Sequence, residues 1–525
     1  MTFGASTKAR DLRGEGRTAR IAGAVGIGYG GQILTVVVGL WLTPFLLRRL
    51  GQTEYGLWLL AMQMTAYLSL LDLGIVALLP RETAFAIGRS AGKPNSDELP
   101  ELIGRTLSVV LAQVPIVAAA AMIGLMLLPP GWAQLRGPLA ILAAVFILMF
   151  PVRILHAVLQ GLQDLAFLGR VSLFMWAIGA ATTVGLVIAG AGLYAVSIGW
   201  AVSQAGSAVC WAFRMRARYA HVLPHSLPRI SRHLVREQLQ SGMWVTLAQV
   251  SQILMSGTDL LVIGRLLGPA AIVPYAVTGK LISVLSNQPL MVMQAAQPAL
   301  SEIKATVGES ERVSGMTTAL SQLILLMSGG VFVVLLLVNK GFVSWWINPK
   351  QYAGNAVSFL LLTVMLLRHW NTTVMYSLLA FGHEKRFALT ALLDGAVCVV
   401  ASVLLVRPYG VIGVAVGSVI GVCAVSLPLN VSGLSSATGT PPAELMQPLV
   451  AWAVRFGCFV ALGVFVASRW EPRSFAALAG TTVVTALTYV VVMSRVLVSP
   501  PLGQYTSARI NSAIAYFPWL GSRPA

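Results

Sequence analysis

Residues 214–241 read RMRARYAHVLPHSLPRISRHLVREQLQS and interrupt an otherwise apolar chain. Long apolar segments joined by short connections lie on both sides of this stretch. It holds six arginines and three histidines, and Pro224 and Pro228 break any long helix. We interpret it as a basic cytoplasmic hinge loop between two membrane-embedded halves, with an attraction to anionic lipid headgroups.

The two halves resemble each other at a nearly constant offset. Three matches lie at offsets of 217, 218 and 221. They pair 48–51 with 265–268, 192–199 with 410–417, and Gly161 and Gln163 with Gly382 and Glu384. An internal repeat of about six helices per copy is typical of transporters.

Composition predicts an all-α, polytopic helical membrane protein. Of the 525 residues, 57% are hydrophobic and only 10% are charged, which excludes a soluble domain. The apolar runs are continuous, whereas the strands of a membrane barrel would alternate. The net charge of +18 does not predict nucleic-acid binding, because the basic residues lie in short loops between apolar segments.

Apolar segments predict about fourteen transmembrane helices. They span 21–46, 55–80, 106–128, 138–160, 171–191, 193–213, 242–267, 271–299, 316–338, 355–380, 387–406, 410–430, 448–468 and 474–498.

The resulting organisation places two six-helix lobes around the hinge. We expect a cytoplasmic tail at 1–20, lobes at 21–213 and 242–430, an additional helix pair at 448–498, and a cytoplasmic tail at 499–525. Lysine and arginine concentrate in the loops on the side of the N-terminus, which predicts that both termini are cytoplasmic. Arg48 and Arg49 are the exception, in a short outer loop.

No sequence feature indicates catalysis, a cofactor or a metal. The connections are too short for a soluble catalytic domain, and no Walker A motif is present to couple ATP. The four cysteines have no metal-ligand spacing and lie in or beside apolar segments. We therefore expect a transporter that uses an ion gradient or the gradient of its own substrate.

Three stretches resemble the polysaccharide transporter branch of the multidrug/oligosaccharidyl-lipid/polysaccharide flippase superfamily. Residues 46–84 carry a Leu-Gly-x-x-x-Tyr-Gly turn followed by the Asp-Leu-Gly at Asp72. Residues 258–303 are similar in Asp259, in an Arg-Leu-Leu-Gly turn and in Tyr275, and the connection 159–170 reads LQGLQDLAFLGR. The resemblance covers about residues 20–430.

This resemblance implies two lobes that open alternately to either side of a bacterial inner membrane. The implied substrate is an undecaprenyl-pyrophosphate-linked oligosaccharide, flipped from cytoplasm to periplasm for O-antigen, capsule or exopolysaccharide synthesis. Its pyrophosphate calls for a cationic cavity, and its polyprenyl tail requires an opening toward membrane lipid. A polysaccharide polymerase and a chain-length regulator are the implied partners.

Charged side chains inside the predicted spans are the candidate site residues, because each is costly in the bilayer. There are four cations and three anions, a balance that favours an anionic substrate over organic cations: Asp72, Arg153, Asp259, Lys280, Arg368, Asp394 and Arg455.

Arg153 and His156 share one helical face just after Pro151. We predict that this pair binds the pyrophosphate from the cytoplasmic side. The alternative is that Arg153 extends to the inner headgroups.

Lys280, Arg368 and His369 lie too deep in their spans to reach the headgroups. We predict that they bind substrate, and buried ion pairing is the alternative. Arg455 fits an interface contact better than a substrate ligand.

Asp259, Asp72 and Asp394 are the candidates for coupling to a proton or a sodium ion. The alternatives are structural pairs: Asp72 with a basic residue on a neighbouring helix, and Asp394 with Arg368. A pair of Asp259 with Arg265 is disfavoured by their separation of six residues.

Two other transport and enzyme classes compete with the flippase. An ion-coupled multidrug exporter of the same superfamily would have an acidic cavity. A membrane polysaccharide polymerase or glycosyltransferase would need a large outer loop or a carboxylate cluster, and the outer loops are short. A scaffold does not account for the charged residues in the spans.

Small residues at four-residue intervals, Gly413, Gly417 and Gly421, predict a flat helix face that packs closely on a neighbour and slides along it.

Overall fold

A computed structural model describes residues 4–89, 98–224, 227–228, 232–305 and 310–505. Within these ranges the chain is helical and contains no β-strand, which confirms the all-α prediction. The chain forms two compact units, residues 1–249 and 250–525, and the boundary between them falls inside one helix.

The first unit contains seven complete helices and the first part of an eighth. In chain order they are α1 (Gly4–Leu68), α2 (Ile75–Arg89), α3 (Glu98–Met126), α4 (Arg136–Met149), α5 (Arg153–Gly161), α6 (Leu165–Ile188), α7 (Leu193–Arg218) and α8 (Arg232–Ser256).

The second unit contains the end of α8 and nine further described helices. They are α9 (Thr258–Leu266), α10 (Pro269–Ala305), α11 (Ser310–Trp346), α12 (Asn355–Ala380), α13 (Glu384–Tyr409), α14 (Val411–Gly421), α15 (Leu427–Thr438), α16 (Pro442–Ala467) and α17 (Phe475–Val498). A π-helical turn, Val422–Ser426, joins α14 to α15.

The predicted lobes, hinge and tails stay predictions. Helix α1 begins at Gly4, inside the predicted N-terminal tail, and residues 214–218 and 232–241 of the predicted hinge belong to helices. Residues 1–3, 225–226, 229–231 and 506–525 of the predicted tails and hinge lie outside the described residues.

Eleven described helical segments are long and apolar enough to cross a membrane, or twelve if the bent pair Gly242–Met255 and Thr258–Leu266 forms one span. This confirms a multi-pass membrane protein and leaves the count of fourteen unconfirmed. The first two predicted spans fall on one segment, Gly30–Asp72, which is interrupted at Gly51 (φ 82°, ψ 169°). The tenth predicted span corresponds to α12, which is not among these eleven segments. It carries Arg368 and His369 near its middle.

Backbone angles support the internal repeat at its turns. Gly192 and Gly410 precede equivalent helices with φ and ψ of 56° and −135° and of 59° and −142°. Gly51 and Gly268 also share positive φ, at 82° and 93°, at the predicted offset of 217. These turns require glycine, because a Cβ is strained at such angles.

The third predicted match is wrong by two residues. The left-handed position is Gln163 (φ 60°) in the first copy and Gly382 (φ 80°) in the second, an offset of 219. The following residues, Asp164 and His383, have nearly identical angles and each precedes a helix. The match of Gly161 with Gly382 aligned two glycines that are not equivalent, because the first copy has a glutamine, Gln163, at the left-handed position.

Each unit has its own apolar core. In the first, Phe150, Ile154 and Val158 of the α4–α5 region pack with Leu79 of α2 and Val110 of α3. In the second, α16 and α17 join the core of α11: Trp452 and Tyr489 are buried there together with Phe332.

Candidate functional site

The predicted second span is broken at its Asp-Leu-Gly sequence. Helix α1 ends at Leu68, a 3₁₀ turn covers Ser69–Asp72, and Leu73 and Gly74 take positive φ before α2 begins. A carboxylate oxygen of Asp72 accepts a hydrogen bond of 2.8 Å from the Gly74 backbone N–H and so caps the turn. Gly74 cannot carry a Cβ, which would lie 2.6 Å from the Gly242 carbonyl oxygen.

The predicted fourth span is broken as well. Helix α4 ends at Met149, residues 150–152 form a turn that contains Pro151, and α5 begins at Arg153. Because proline has no N–H and clashes with the preceding turn, a break at this point is expected. The break sets Arg153 and His156 on the first turn of α5.

The two breaks bring Asp72 and Arg153 together. Arg153 Nη2 donates to Asp72 Oδ2 over 3.2 Å, and the Asp72 side chain is only 2% exposed. The guanidinium carbon of Arg153 also lies 5.7 Å and 5.8 Å from the ring centroids of Phe146 and Phe150, within the range of cation–π attraction. This is the ion pair that was weighed as the alternative for Asp72.

A cavity of about 640 Å³ opens beside this pair, within the first unit. Two arginines and one carboxylate are the formally charged groups among its lining residues, which leaves a net positive lining with histidine neutral. The lining includes Met62, Thr65, Ser69, Asp72, Arg81, Phe146, Arg153, His156, Gln160, Trp200, Gln204 and Trp211.

Arg153 and His156 both reach this cavity, as their shared helical face predicts. The His156 ring lies 4.9 Å from the Trp211 ring, centroid to centroid. Helix α7 contributes three further residues to the wall that were not predicted from the sequence: Trp200, Gln204 and Trp211. Their spacing of 4 and 11 residues along one helix face was the signal available in the sequence.

In the second unit, Asp259 lies directly after a break between α8 and α9 at Gly257. Its partner is Tyr275 of α10, whose hydroxyl donates to Asp259 Oδ2 over 2.8 Å. No ion pair between Asp259 and Arg265 occurs among the described residues, consistent with their unfavourable spacing.

Arg368 and Asp394 form the second buried ion pair. Arg368 Nη1 lies 3.3 Å from Asp394 Oδ2 and 2.9 Å from the sulfur of Met255. Asp394 is fully buried, and the Arg368 side chain is 21% exposed. Arg368 is also close enough to Asp259 to interact with it electrostatically, so one cation serves two carboxylates.

Asp394 faces a fourth irregularity in the helices, the π-helical turn after α14. A Cβ on Gly421, the last residue of α14 before the π-helical turn, would meet Asp394 Oδ1. π-Helical turns often occur at functional sites, because they shift one residue out of the regular hydrogen-bond ladder. All three predicted ion-coupling residues therefore lie at or against helix breaks.

His369 and Lys280 stand apart from that cluster. His369 is 4% exposed, and its Nδ1 makes a 2.7 Å hydrogen bond with the Ser328 hydroxyl on α11. Lys280 is half-buried on α10 and makes no ion pair with a residue that the structure describes. Arg455, also half-buried, lies on α16. Their predicted roles stay predictions.

A separate charged cluster fixes the connection between α5 and α6. Arg214 of α7 donates two hydrogen bonds to Asp164, of 2.8 Å and 3.3 Å, and Tyr219 donates a third of 3.2 Å. Burial, together with the Asp164 carboxylate, raises the pKa of Tyr219 above its usual value. The phenol therefore stays a donor, and this cluster is structural.

Sequence comparison finds a polysaccharide biosynthesis family and an uncharacterised membrane protein among the relatives of the chain. The sequence model of a family described as "Polysaccharide biosynthesis protein" matches residues 103–346. The uncharacterised membrane protein EpsK of Bacillus subtilis (strain 168) is 22% identical over 444 residues, which cover 77% of this chain and 81% of EpsK.

Structural comparison finds the same fold in several transporters. The lipid II flippase MurJ, in an inward closed conformation, superposes with a TM-score of 0.61 at 13% identity, over 89% of this chain and 100% of MurJ. An inward-facing multidrug resistance transporter of the MATE family superposes with a TM-score of 0.57 at 15% identity, over 74% of this chain and 96% of that transporter. The match to the polysaccharide family model over residues 103–346, the EpsK relative and the shared fold agree with the resemblance to the polysaccharide transporter branch of the multidrug/oligosaccharidyl-lipid/polysaccharide flippase superfamily.

Proposed function

We propose that this protein flips an undecaprenyl-pyrophosphate-linked oligosaccharide from the cytoplasmic to the periplasmic leaflet of a bacterial inner membrane, by alternating access. The substrate serves the synthesis of a cell-surface polysaccharide, and both termini lie in the cytoplasm. A polysaccharide polymerase and a chain-length regulator act on the exported units. The protein itself makes and breaks no covalent bond.

The observation that carries this proposal is the charge of the cavity in the first unit. Arg153 and Arg81 outnumber Asp72 there, so the lining attracts an anion within a membrane-spanning unit. Arg153 has a fixed charge and five donors in a planar fork, of which Asp72 accepts one. The remaining donors suit the oxygens of a pyrophosphate.

We assign ion coupling to the cluster of the second unit. Asp259 and Asp394 share the one cation Arg368, so the cluster carries a surplus negative charge when both carboxylates are ionised. A proton or a sodium ion would neutralise that surplus and change the attraction for Arg368. Asp72 is less suited to coupling, because Arg153 already neutralises it.

The test is the amount of undecaprenyl-pyrophosphate-linked glycan in cells that carry Arg153→Gln, Lys280→Ala, Arg368→Ala or Asp259→Asn in place of the native protein. We expect the lipid-linked glycan to accumulate and exported polymer to fall, at membrane levels of protein equal to native. Arg48→Gln, in the predicted outer loop, is the control and should leave export unchanged. Normal lipid-linked glycan in all four variants would reject the proposal.

A multidrug exporter is the second candidate, because the acidic surplus in the second unit also suits an organic cation. The fold is shared with an exporter of that kind, as the TM-score of 0.57 indicates. In the same cells, normal polymer export combined with raised sensitivity to cationic drugs would move the assignment to this class.

A further inference from the structure

One face of α7 carries a stripe of side chains that differs from the charged groups discussed above. Trp200, Gln204 and Trp211 lie within about 40° of one another around the helix and span about 16 Å along its axis. All three line the cavity of the first unit. The stripe therefore presents two indole rings and an amide along one wall.

The polar atoms of this wall are open to a ligand. No hydrogen bond to any residue that the structure describes is made by the amides of Gln204 and Gln160, another lining residue of the cavity, or by the indole N–H groups of Trp200 and Trp211. Inside a membrane-spanning unit, polar groups without partners are unfavourable unless water or a ligand satisfies them.

The chemistry of this wall matches a sugar. Glutamine amides both donate and accept, as the hydroxyl groups of a pyranose require. Indole rings offer flat apolar faces with a negative π-surface, which suits the C–H face of a sugar ring. A lipid chain would use neither the amides nor the indole N–H groups.

We propose that Trp200, Gln204 and Trp211, with Gln160, form a sugar-binding subsite next to Arg153. It takes the reducing-end sugars of the glycan while Arg153 takes the adjoining phosphate. This inference rests on the proposed function for the identity of the substrate. The subsite would allow the protein to distinguish a pyrophosphate that carries sugars from a pyrophosphate without sugars.

The test compares four probes that differ in the sugar alone. Native full-length protein in lipid nanodiscs is titrated with inorganic phosphate and with the 1-phosphates of glucose, galactose and N-acetylglucosamine, by ligand-observed NMR or calorimetry. We expect at least one sugar phosphate to bind about tenfold tighter than phosphate, the equivalent of about 1.4 kcal/mol. If no sugar phosphate binds tighter than phosphate, the subsite is overturned.

Variants separate the sugar contacts from the phosphate contact. Trp211→Leu and Gln204→Leu should bring the ratio of sugar-phosphate to phosphate affinity close to one without changing phosphate affinity. Trp211→Phe, which retains an aromatic face, should preserve most of the ratio. Arg153→Gln should weaken all four probes together.

A control variant is needed to exclude a structural explanation, since Trp200 and Trp211 also pack against the core of the first unit. Trp470→Leu changes an exposed tryptophan of the second unit and should leave every affinity unchanged. An undiminished ratio in both Trp211→Leu and Gln204→Leu would overturn the subsite. A uniform loss in Trp211→Leu, Gln204→Leu and Trp211→Phe would do so too, because it would indicate misfolding rather than lost sugar contacts.

The subsite and the proposed function fail in distinguishable ways. A sugar preference in vitro without glycan accumulation in cells keeps the subsite and rejects the flippase. Glycan accumulation in the Arg153→Gln cells without any sugar preference keeps the flippase and rejects the subsite.

Discussion

At the scale of single residues, the site consists of charged side chains, each of which is energetically costly within a membrane. Asp72 and Arg153 form an ion pair across two helix breaks, and Asp72 is almost fully withdrawn from solvent. Removal of one partner from a buried pair leaves an uncompensated charge, and that loss usually exceeds the net stabilisation from the pair itself.

The first prediction is a coupling between these two residues. Arg153→Gln alone should destabilise the first unit, because it leaves Asp72 ionised and unpaired. Asp72→Asn together with Arg153→Gln should recover part of the loss, with a coupling energy of about 1–3 kcal/mol. Thermal or denaturant unfolding in one detergent measures this coupling. The four proteins compared are the native protein, the two single variants and the double variant. Strictly additive effects would contradict the ion pair.

The sequence identified the charged residues of the site but only some of their partners. The pair of Arg368 with Asp394 was one of two readings, since residues 26 apart on adjacent helices have no fixed relation in sequence. The hydrogen bond from the Tyr275 hydroxyl to Asp259 was not predicted, although both residues lie in the stretch 258–303. The two residues are 16 positions apart and lie on different helices joined by a turn. Helical spacing predicts contacts only within one helix.

At the scale of helices, the internal repeat accounts for the order of helices and turns, and the helix breaks position the charged side chains of the candidate site. The turns at Gly192 and Gly410 have nearly the same angles, because both copies need the same change of direction. The breaks at Asp72 and before Arg153 have no counterpart at the equivalent positions of α10 and α12, which are continuous. Hydrophobic periodicity could not predict these breaks, because an apolar run has the same residue pattern whether its helix is straight or broken.

Close packing of α13 on α14 provides the second prediction. A Cβ on Gly417 would lie 2.7 Å from the Ser402 backbone nitrogen and 3.0 Å from the Cys398 carbonyl oxygen, so Gly417→Ala must separate the helices. We expect a loss of about 1–3 kcal/mol in the free energy of unfolding. The matched control is Gly457→Ala on α16, where no atom lies within 4 Å of the added Cβ.

The control variant should be neutral or slightly stabilising, because alanine is the better helix former. Denaturant unfolding of both variants gives the comparison. Equal stability of Gly417→Ala and Gly457→Ala would contradict the close face predicted from Gly413, Gly417 and Gly421. Whether this face also slides remains a proposal.

The third prediction concerns the attachment of α16 and α17 to α11. Gln322, buried on α11, donates to the carbonyl oxygens of Pro448 (3.0 Å) and Pro500 (3.4 Å) and accepts from the Leu502 N–H (3.0 Å). Gln322→Leu leaves three backbone groups without this partner. Each one that stays buried should lower the free energy of unfolding by about 1–3 kcal/mol. We expect the segment after α17 to detach.

Cysteine labelling measures that detachment. In protein with Cys423 and Cys458 replaced by serine, Leu502→Cys should react slowly with a maleimide, because Leu502 is 3% exposed. Adding Gln322→Leu should accelerate the reaction at least severalfold. The same substitution at the exposed Gln134 should leave the rate unchanged, and an unchanged rate in Gln322→Leu would refute the attachment.

At the scale of the whole molecule, the two units carry opposite charge surpluses. The cavity of the first is lined by an excess of arginine, and the cluster of the second by an excess of aspartate. Composition and hydropathy predicted the membrane and the helices, and residue matches at a nearly constant offset predicted the repeat. It could not predict this separation of charge, which depends on which helix faces turn inward in each unit.

The separation has a consequence for transport. We expect Asp259→Asn to reduce the response of transport to an imposed proton or sodium gradient while the affinity for phosphate in the first unit stays native. Flux measured in proteoliposomes with and without the gradient, next to the phosphate titration, checks this. Equal gradient dependence in the variant and the native protein would contradict the assignment of coupling to Asp259.

The most direct measurement is the movement of a lipid-linked glycan across a membrane that contains only this protein. Proteoliposomes are loaded with an undecaprenyl-pyrophosphate disaccharide that carries a reducible fluorophore on its glycan, and dithionite, which does not cross the bilayer, is added outside. We expect native protein to expose label from both leaflets to dithionite, whereas Arg153→Gln protein should expose the outer-leaflet label alone. Protection of the inner-leaflet label by native protein, with or without a proton or sodium gradient, would contradict the central claim.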